Sequence, residues 1–178
     1  MGTKYITSSN NTYKVFTALL TQSGGSSPAN LGSADVIKGV TYSFDGGADY
    51  DFSNVGGPIY PDNYSFIATE TAQPNDLGTS EWIYNTGAPV ATVLENTIGN
   101  IWFTYGGVGN YGIYSNGLFI ENKTTFSIIL MGDDLQSEYL CKGYIQEPNS
   151  CGIVTGDISA YYDSVLNWKT PIEIRVYN

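Results

Sequence analysis

The chain has 178 residues, the size of one compact domain with an apolar core of its own. Its 17 acidic and 7 basic residues leave a formal net charge of −10 at pH 7, with Arg175 the lone arginine, a balance that opposes binding to a phosphate backbone. Histidine is absent, which excludes an imidazole base, a His-ligated metal and a Ser-His-Asp relay.

Glycine contributes 21 residues and proline 7, aromatics make up 14%, and charged residues only 13% against about 25% in an average domain. Short segments rich in Val, Ile, Thr, Tyr and Phe recur between Gly, Asn, Asp and Pro clusters, and helical periodicity is nearly absent. This pattern predicts an all-β fold, an antiparallel β-sandwich of jelly-roll-like type with long loops. The first strand, Tyr13–Gln22, places Val15, Thr17 and Leu19 on one face and Phe16, Ala18 and Leu20 on the other. Both faces are apolar, so it is expected to be central in a sheet or covered twice.

Val36–Phe44 follows as a second strand. A surface loop dense in turn formers then runs from 45 to 63, succeeded by a strand over Tyr64–Thr69, a loop over 72–80, and strands over Trp82–Tyr84 and Ala91–Glu95. Ile101–Tyr105 and Gly112–Tyr114 read as the arms of a hairpin around Gly106-Gly107-Val108-Gly109, a run that lacks the helix and lysine of a phosphate cradle. Strands over Thr125–Met131, Glu138–Ile145 and Gly152–Thr155 come next, then a helical turn over Ser164–Trp168 that Pro171 ends. In the last strand, Ile172, Ile174 and Val176 alternate with Glu173, Arg175 and Tyr177, so the C-terminus is expected to close a sheet as a half-exposed strand. Residues 1–178 read as a single sandwich domain with a loop-and-strand insertion over 25–87.

The stretch Met1–Asn11 is polar and lacks the apolar run of a secretory signal, and nothing approaches the ~20 apolar residues that span a bilayer. A soluble chain that is not exported by that route is expected. Cys141 and Cys151 flank a turn signal at Pro148-Asn149-Ser150. That turn would set Gln146 opposite Cys151, with Cys141 five places farther along, so two reduced, buried thiols are preferred to a disulfide.

Asp45, Asp49 and Asp51 lie within seven residues of a glycine-bearing loop and could offer hard oxygen ligands to Ca²⁺, the one cofactor considered, although the EF-hand series is missing. The bland alternative is a solvated acidic loop. Asp133-Asp134 reads as a strand terminus. Glu81 and Glu95 are candidates for a glycosidase-type carboxylate pair, but nothing in the sequence brings them together. Trp82, Tyr84, Trp102 and Tyr114 are candidate contact residues, for a protein interface or for a glycan, on aromatic content alone.

The run Pro89-Val90-Ala91-Thr92-Val93-Leu94-Glu95-Asn96-Thr97-Ile98-Gly99, followed by the hairpin with Trp102 and Tyr111-Gly112-Ile113-Tyr114 and then by Gly117-Leu118-Phe119 and Asn122-Lys123-Thr124, resembles a small module of phage and prophage virion proteins from Bacteroidetes-type hosts. Tail and fibre proteins carry it. In that module a strand like Tyr13–Gly24 runs almost directly into the Pro-Val-Ala-Thr-Val-Leu-Glu-Asn segment. Here about sixty residues interrupt the two halves. The resemblance covers about a third of the chain and brings no catalytic residues. It implies a non-enzymatic component of a bacteriophage virion, a surface-exposed capsid-auxiliary, head-fibre or tail-fibre-type protein assembled in the host cytoplasm. Expected partners are other virion proteins and further copies of the chain, a trimer being favoured, with no nucleic acid and no membrane. A carbohydrate-binding adhesion module that uses the aromatic residues is the alternative.

Overall fold

The computed structural model describes residues 12–21, 29–30, 35–44, 51–59, 64–76, 82–84, 87–129, 140–147, 150–157, 159–166 and 169–178. The chain is nearly all β, with antiparallel sheets packed together. Its strands are β1 (Tyr13–Thr21), β2 (Ala29–Asn30), β3 (Thr41–Phe44), β4 (Tyr64–Ile67), β5 (Trp82–Tyr84) and β6 (Val90–Asn96), then β7 (Ile101–Gly107), β8 (Asn110–Ser115), β9 (Thr124–Ile128), β10 (Leu140–Glu147), β11 (Ser150–Gly156) and β12 (Thr170–Tyr177). Among the described residues they form three four-stranded sheets, in the orders β6-β1-β12-β9, β10-β11-β8-β7 and β2-β5-β3-β4.

The first two sheets face one another across the main core. Alternation along β1 sends Phe16, Ala18 and Leu20 inward, and β12 adds Ile172, Ile174 and Val176 beside them. From the opposite sheet Phe103, Tyr111, Ile113 and Ile153 meet them, all at 1% exposure or less. Burying each such side chain contributes about 1.5–3 kcal/mol, so the period-2 pattern is what selects the inner faces. As expected, β1 is an inner strand, paired with β6 on one edge and β12 on the other. The C-terminal strand β12 does not close its sheet but is inner too, between β1 and β9, with Ile172, Ile174 and Val176 buried and one face half-exposed.

The third sheet lies between β1 and β6 in sequence and has a separate core of Val36, Tyr42, Phe52, Val55, Phe66 and Ala68. It is fastened to the sandwich beside β6 and β7. The Phe103 N–H donates to Thr41 Oγ1 (3.2 Å), Asn100 Nδ2 donates to the Ser65 carbonyl (2.9 Å), and the Ala91 N–H donates to the Gly39 carbonyl (2.9 Å).

Several local expectations need correction. Val36–Phe44 is not one strand, because Val36 makes an isolated bridge to Ala72 and the chain turns at Gly39 before β3 begins. Gly39 has φ +84°, and a Cβ there would stand 2.6 Å from the Ala91 carbonyl oxygen, so this approach needs glycine. Residues 51–59 are not a plain surface loop, since Phe52 and Val55 are buried around a 3₁₀ turn at Ser53–Val55. The second helical segment spans Asp163–Leu166, and Pro171 stands inside β12 opposite Leu19 instead of ahead of the strand. Strand β2 had no sequence signal.

The register of β10 and β11 sets Ile145 opposite Cys151 and Cys141 opposite Thr155. The two cysteines are thus four strand positions apart, about 13 Å, which no disulfide spans. Cys151 is a buried free thiol.

Asp163 pins the second 3₁₀ segment to the β7–β8 hairpin. Its carboxylate accepts hydrogen bonds from Tyr105 Oη (2.8 Å), Tyr111 Oη (2.9 Å) and the Gly109 N–H (2.7 Å). Burial first, and then the bond to Asp163, push the Tyr111 hydroxyl far above its ordinary 10.0. Burial likewise pushes the Cys151 thiol from 9.0 up to about 12. Both groups stay protonated in the fold where the unfolded chain would ionise them. Their contribution is therefore complete below the unfolded values and is lost as the pH climbs through the range above about 9. The expected urea midpoint is level on these two accounts up to pH 9 and falls above it. Tyr111→Phe costs about 1 kcal/mol at neutral pH through the lost hydrogen bond and makes the alkaline fall shallower. An unchanged alkaline slope in that variant would contradict this account.

Candidate functional site

On the outer face of the β10-β11-β8-β7 sheet, the register builds a row from Thr104 to Gly112, Gly152 and Tyr144. The neighbouring row begins with Trp102, Tyr114 and Ser150. Strand side chains ordinarily stand perpendicular to their sheet. Here two glycines leave the floor bare, and rings occupy it. A Cβ on Gly112 would lie 2.4 Å from Tyr114 Cε2, and a Cβ on Gly152 would lie 2.2 Å from Tyr144 Cζ, so both rings rest on backbone. Trp102 and Tyr114 are direct cross-strand partners, their centroids 6.0 Å apart and their planes 19° from parallel. Tyr114 remains 36% exposed, while Trp102 and Tyr144 are half-buried.

Thr104 and Asn110 share this face: the Thr104 hydroxyl lies over Gly112 beside the Tyr114 ring, and the Asn110 carboxamide lies over Gly106 farther along the sheet. Among the described side chains on the face, Lys142 is the one that carries charge. The arrangement offers ring faces and hydrogen-bonding edges to a flat partner.

Of the four predicted contact residues, Trp102 and Tyr114 come together and the other two do not join them. Trp82 and Tyr84 belong to β5 in the third sheet, where Tyr84 pairs with Tyr42 and Trp82 with Phe44; their side chains lie outside the described residues. Sequence reading missed Tyr144 together with the glycines beneath the rings. The signal was present, since glycine inside a strand marks a close approach, and Gly112 and Gly152 each sit in one.

Of the three predicted metal ligands, Asp45 and Asp49 lie outside the described residues, as do Asp133, Asp134 and Glu81. Asp51 is described, and its carboxylate accepts the Ser53 N–H at 2.9 Å and Asn75 Nδ2 at 3.1 Å. Hydrogen bonds from Ser53, side chain first and backbone second, hold it below the usual carboxylate range. It closes an Asx turn that ties residues 51–54 to 73–76, with Asn54 Nδ2 donating to the Gln73 carbonyl. Among the described residues, no group of three or more His, Cys, Asp or Glu is placed to hold a metal. Glu95 is exposed on β6.

A half-open cleft of about 750 Å³ separates the third sheet from β6, with Tyr64, Ile67 and Thr69 on one wall and Thr92, Asn96 and Asn100 on the other. Compared with known protein families, curated proteins and solved structures, the chain matches none.

Glycines on the two faces of this sheet should respond differently to a methyl group. Gly143 faces the core, and its Cβ would land 2.0 Å from the Phe126 ring between the sheets. Gly143→Ala is expected to lose about 1–3 kcal/mol by overpacking. Gly152→Ala pushes on the Tyr144 ring, which can swing outward, so it should lose less than about 1 kcal/mol while altering the near-ultraviolet circular dichroism. Equal losses in urea unfolding would refute the seating of Tyr144 on the outer face.

Proposed function

We propose that the chain is a structural component of a bacteriophage virion, a surface-exposed capsid-auxiliary, head-fibre or tail-fibre-type protein that acts by protein–protein assembly and transforms no substrate. The observation that carries this reading concerns the run that resembles the virion module. Val90–Asn96 is β6, outermost among the described strands of its sheet, with Val93 41% and Leu94 62% exposed. An outer strand with exposed aliphatic side chains is a template for pairing with another chain.

The placement of the insertion supports the same reading. Thr21 at the end of β1 is paired with Val90 at the start of β6, so the two halves of the module lie side by side and the intervening residues leave and return at one point. The third sheet covers the first part of that edge through the Ala91–Gly39 bond. The later residues of β6 are the exposed ones, and they are where docking onto other virion subunits, or onto further copies in a trimer, would occur.

The test is incorporation. Mass spectrometry of purified particles should find the chain in stoichiometric amount. Leu94→Lys combined with Val93→Lys should reduce copies per particle at least tenfold, while each exposed substitution shifts stability by only about 0.5 kcal/mol. Absence from particles, or undiminished incorporation of the folded double variant, would refute the proposal.

A further inference from the structure

The exposed edge of β6 is one surface; the outer face of the β10-β11-β8-β7 sheet is another and shares no residue with it. We propose that this second face is a binding site for an uncharged glycan, with Trp102, Tyr114 and Tyr144 stacking against the flat faces of successive pyranose rings.

The first argument is the attitude of the rings. Gly112 and Gly152 are direct cross-strand partners, so the floor under Tyr114 and Tyr144 is continuous across β8 and β11. Trp102 lies nearly parallel to Tyr114 on the next strand. A pyranose has an apolar face of axial C–H groups and a rim of hydroxyls. It needs a ring lying beneath it and hydrogen-bonding side chains beside it, and Thr104 stands in that position, with Asn110 farther along the same face.

Charge decides which glycan. The chain carries −10, and a field of that sign repels a polyanion from the whole surface. On this face the described side chains include no carboxylate and a single lysine, Lys142, so an uncharged chain meets neither repulsion nor a buried unpaired charge. A protein partner would find little to grip. The exposed aliphatic side chains Val93, Leu94, Ile120 and Ile129 lie on other strands or turns, and Ile145, though on β10, stands opposite Cys151 on the core-facing side. On the outer face the described aliphatic side chain is half-buried Val154, beside Asn110 and Lys142.

This inference stands independently of the virion proposal, and its test does not involve particles. The full chain is run in native gels containing laminarin, mannan, dextran or xyloglucan as neutral polymers and alginate as an anionic one, and tryptophan emission is titrated with each. Retardation by at least one neutral polymer with a change in emission, and none by alginate, is expected. Trp102→Ala and Tyr144→Ala should each weaken binding at least tenfold, Tyr144→Phe should retain it, and Thr104→Arg, which keeps every ring but stands in their midst, should abolish it. Thermal melts followed by circular dichroism confirm that each variant is folded, and Thr104→Arg carries the test if an alanine variant is not. No retardation by any neutral polymer overturns the proposal, as does retardation by alginate alone or equal binding by the folded variants. A dimer of the wild type that Thr104→Arg dissolves would assign the face to a second copy of the chain and overturn it as well.

Discussion

Strand β1 has no free edge, and the rest of the molecule is arranged around that fact. Residues Phe16 to Leu20 are paired with β6 on one side and with β12 on the other, so Leu20 lies between Ala91 and Thr170. Both partners are distant in sequence. The β1–β12 half of these hydrogen bonds therefore forms only after the last strand is made, which gives the fold a high contact order and favours slow folding. The same pairing explains why a long insertion is tolerated. With Thr21 and Val90 fixed opposite each other, the ends of the insertion are neighbours whatever lies between them, and closing a longer loop adds only ~0.6 kcal/mol per doubling of its length.

The insertion meets the remaining cost with its own core. Phe52, Val55 and Phe66 pack together, the two phenylalanine rings 5.9 Å apart, and Tyr42 joins them at 6.1 Å from Phe66. It also solves a problem for the sandwich. Strands β6 and β7 are both outermost in their sheets, and Thr41 and Gly39 occupy backbone groups that would otherwise invite pairing. Among the described residues that backbone pairing ends at Ala91, and Val93 and Leu94 beyond it are exposed.

What was legible in the sequence follows from how local each signal is. Alternation in β1 and β12 is a property of consecutive residues: β12 shows the period-2 burial it implied, and β1, which reads apolar on both faces, is the inner strand expected but buries chiefly the Phe16, Ala18 and Leu20 face. The β7–β8 hairpin is also local, and the structure tightens it until Gly107 pairs with Asn110 around a turn at Val108 and Gly109. By contrast, Phe52 and Val55 hide among turn formers, and the side chains that bury them, Val36, Tyr42, Phe66 and Ala68, come from other segments of the chain. The split at Gly39 has a nonlocal cause as well, the Ala91 carbonyl pressing on it. The aromatic face divides in the same way. Trp102 and Tyr114 face each other across one hairpin and could be read together, but Tyr144 reaches them only through two further registers, β10 on β11 and β11 on β8. Trp82 and Tyr84 looked equivalent by composition and belong to another sheet.

A sheet whose outer face carries exposed rings ought to be an aggregation hazard, and the geometry shows how the hazard is contained. Side chains that stand upright interdigitate with those of a second sheet, and such interdigitation is what makes a dry sheet-on-sheet interface. Tyr114 and Tyr144 instead lean over Gly112 and Gly152, their ring atoms filling the space a Cβ would take, which leaves less of each ring upright for interdigitation. Two copies meeting through this face would bury ring surface with less interlocking and would bring two bodies of charge −10 together, a poor exchange for either. A partner gains most here if it is flat, uncharged and edged with hydroxyls, and that is the physical reason for separating this face from the aliphatic edge of β6, where backbone pairing is still on offer.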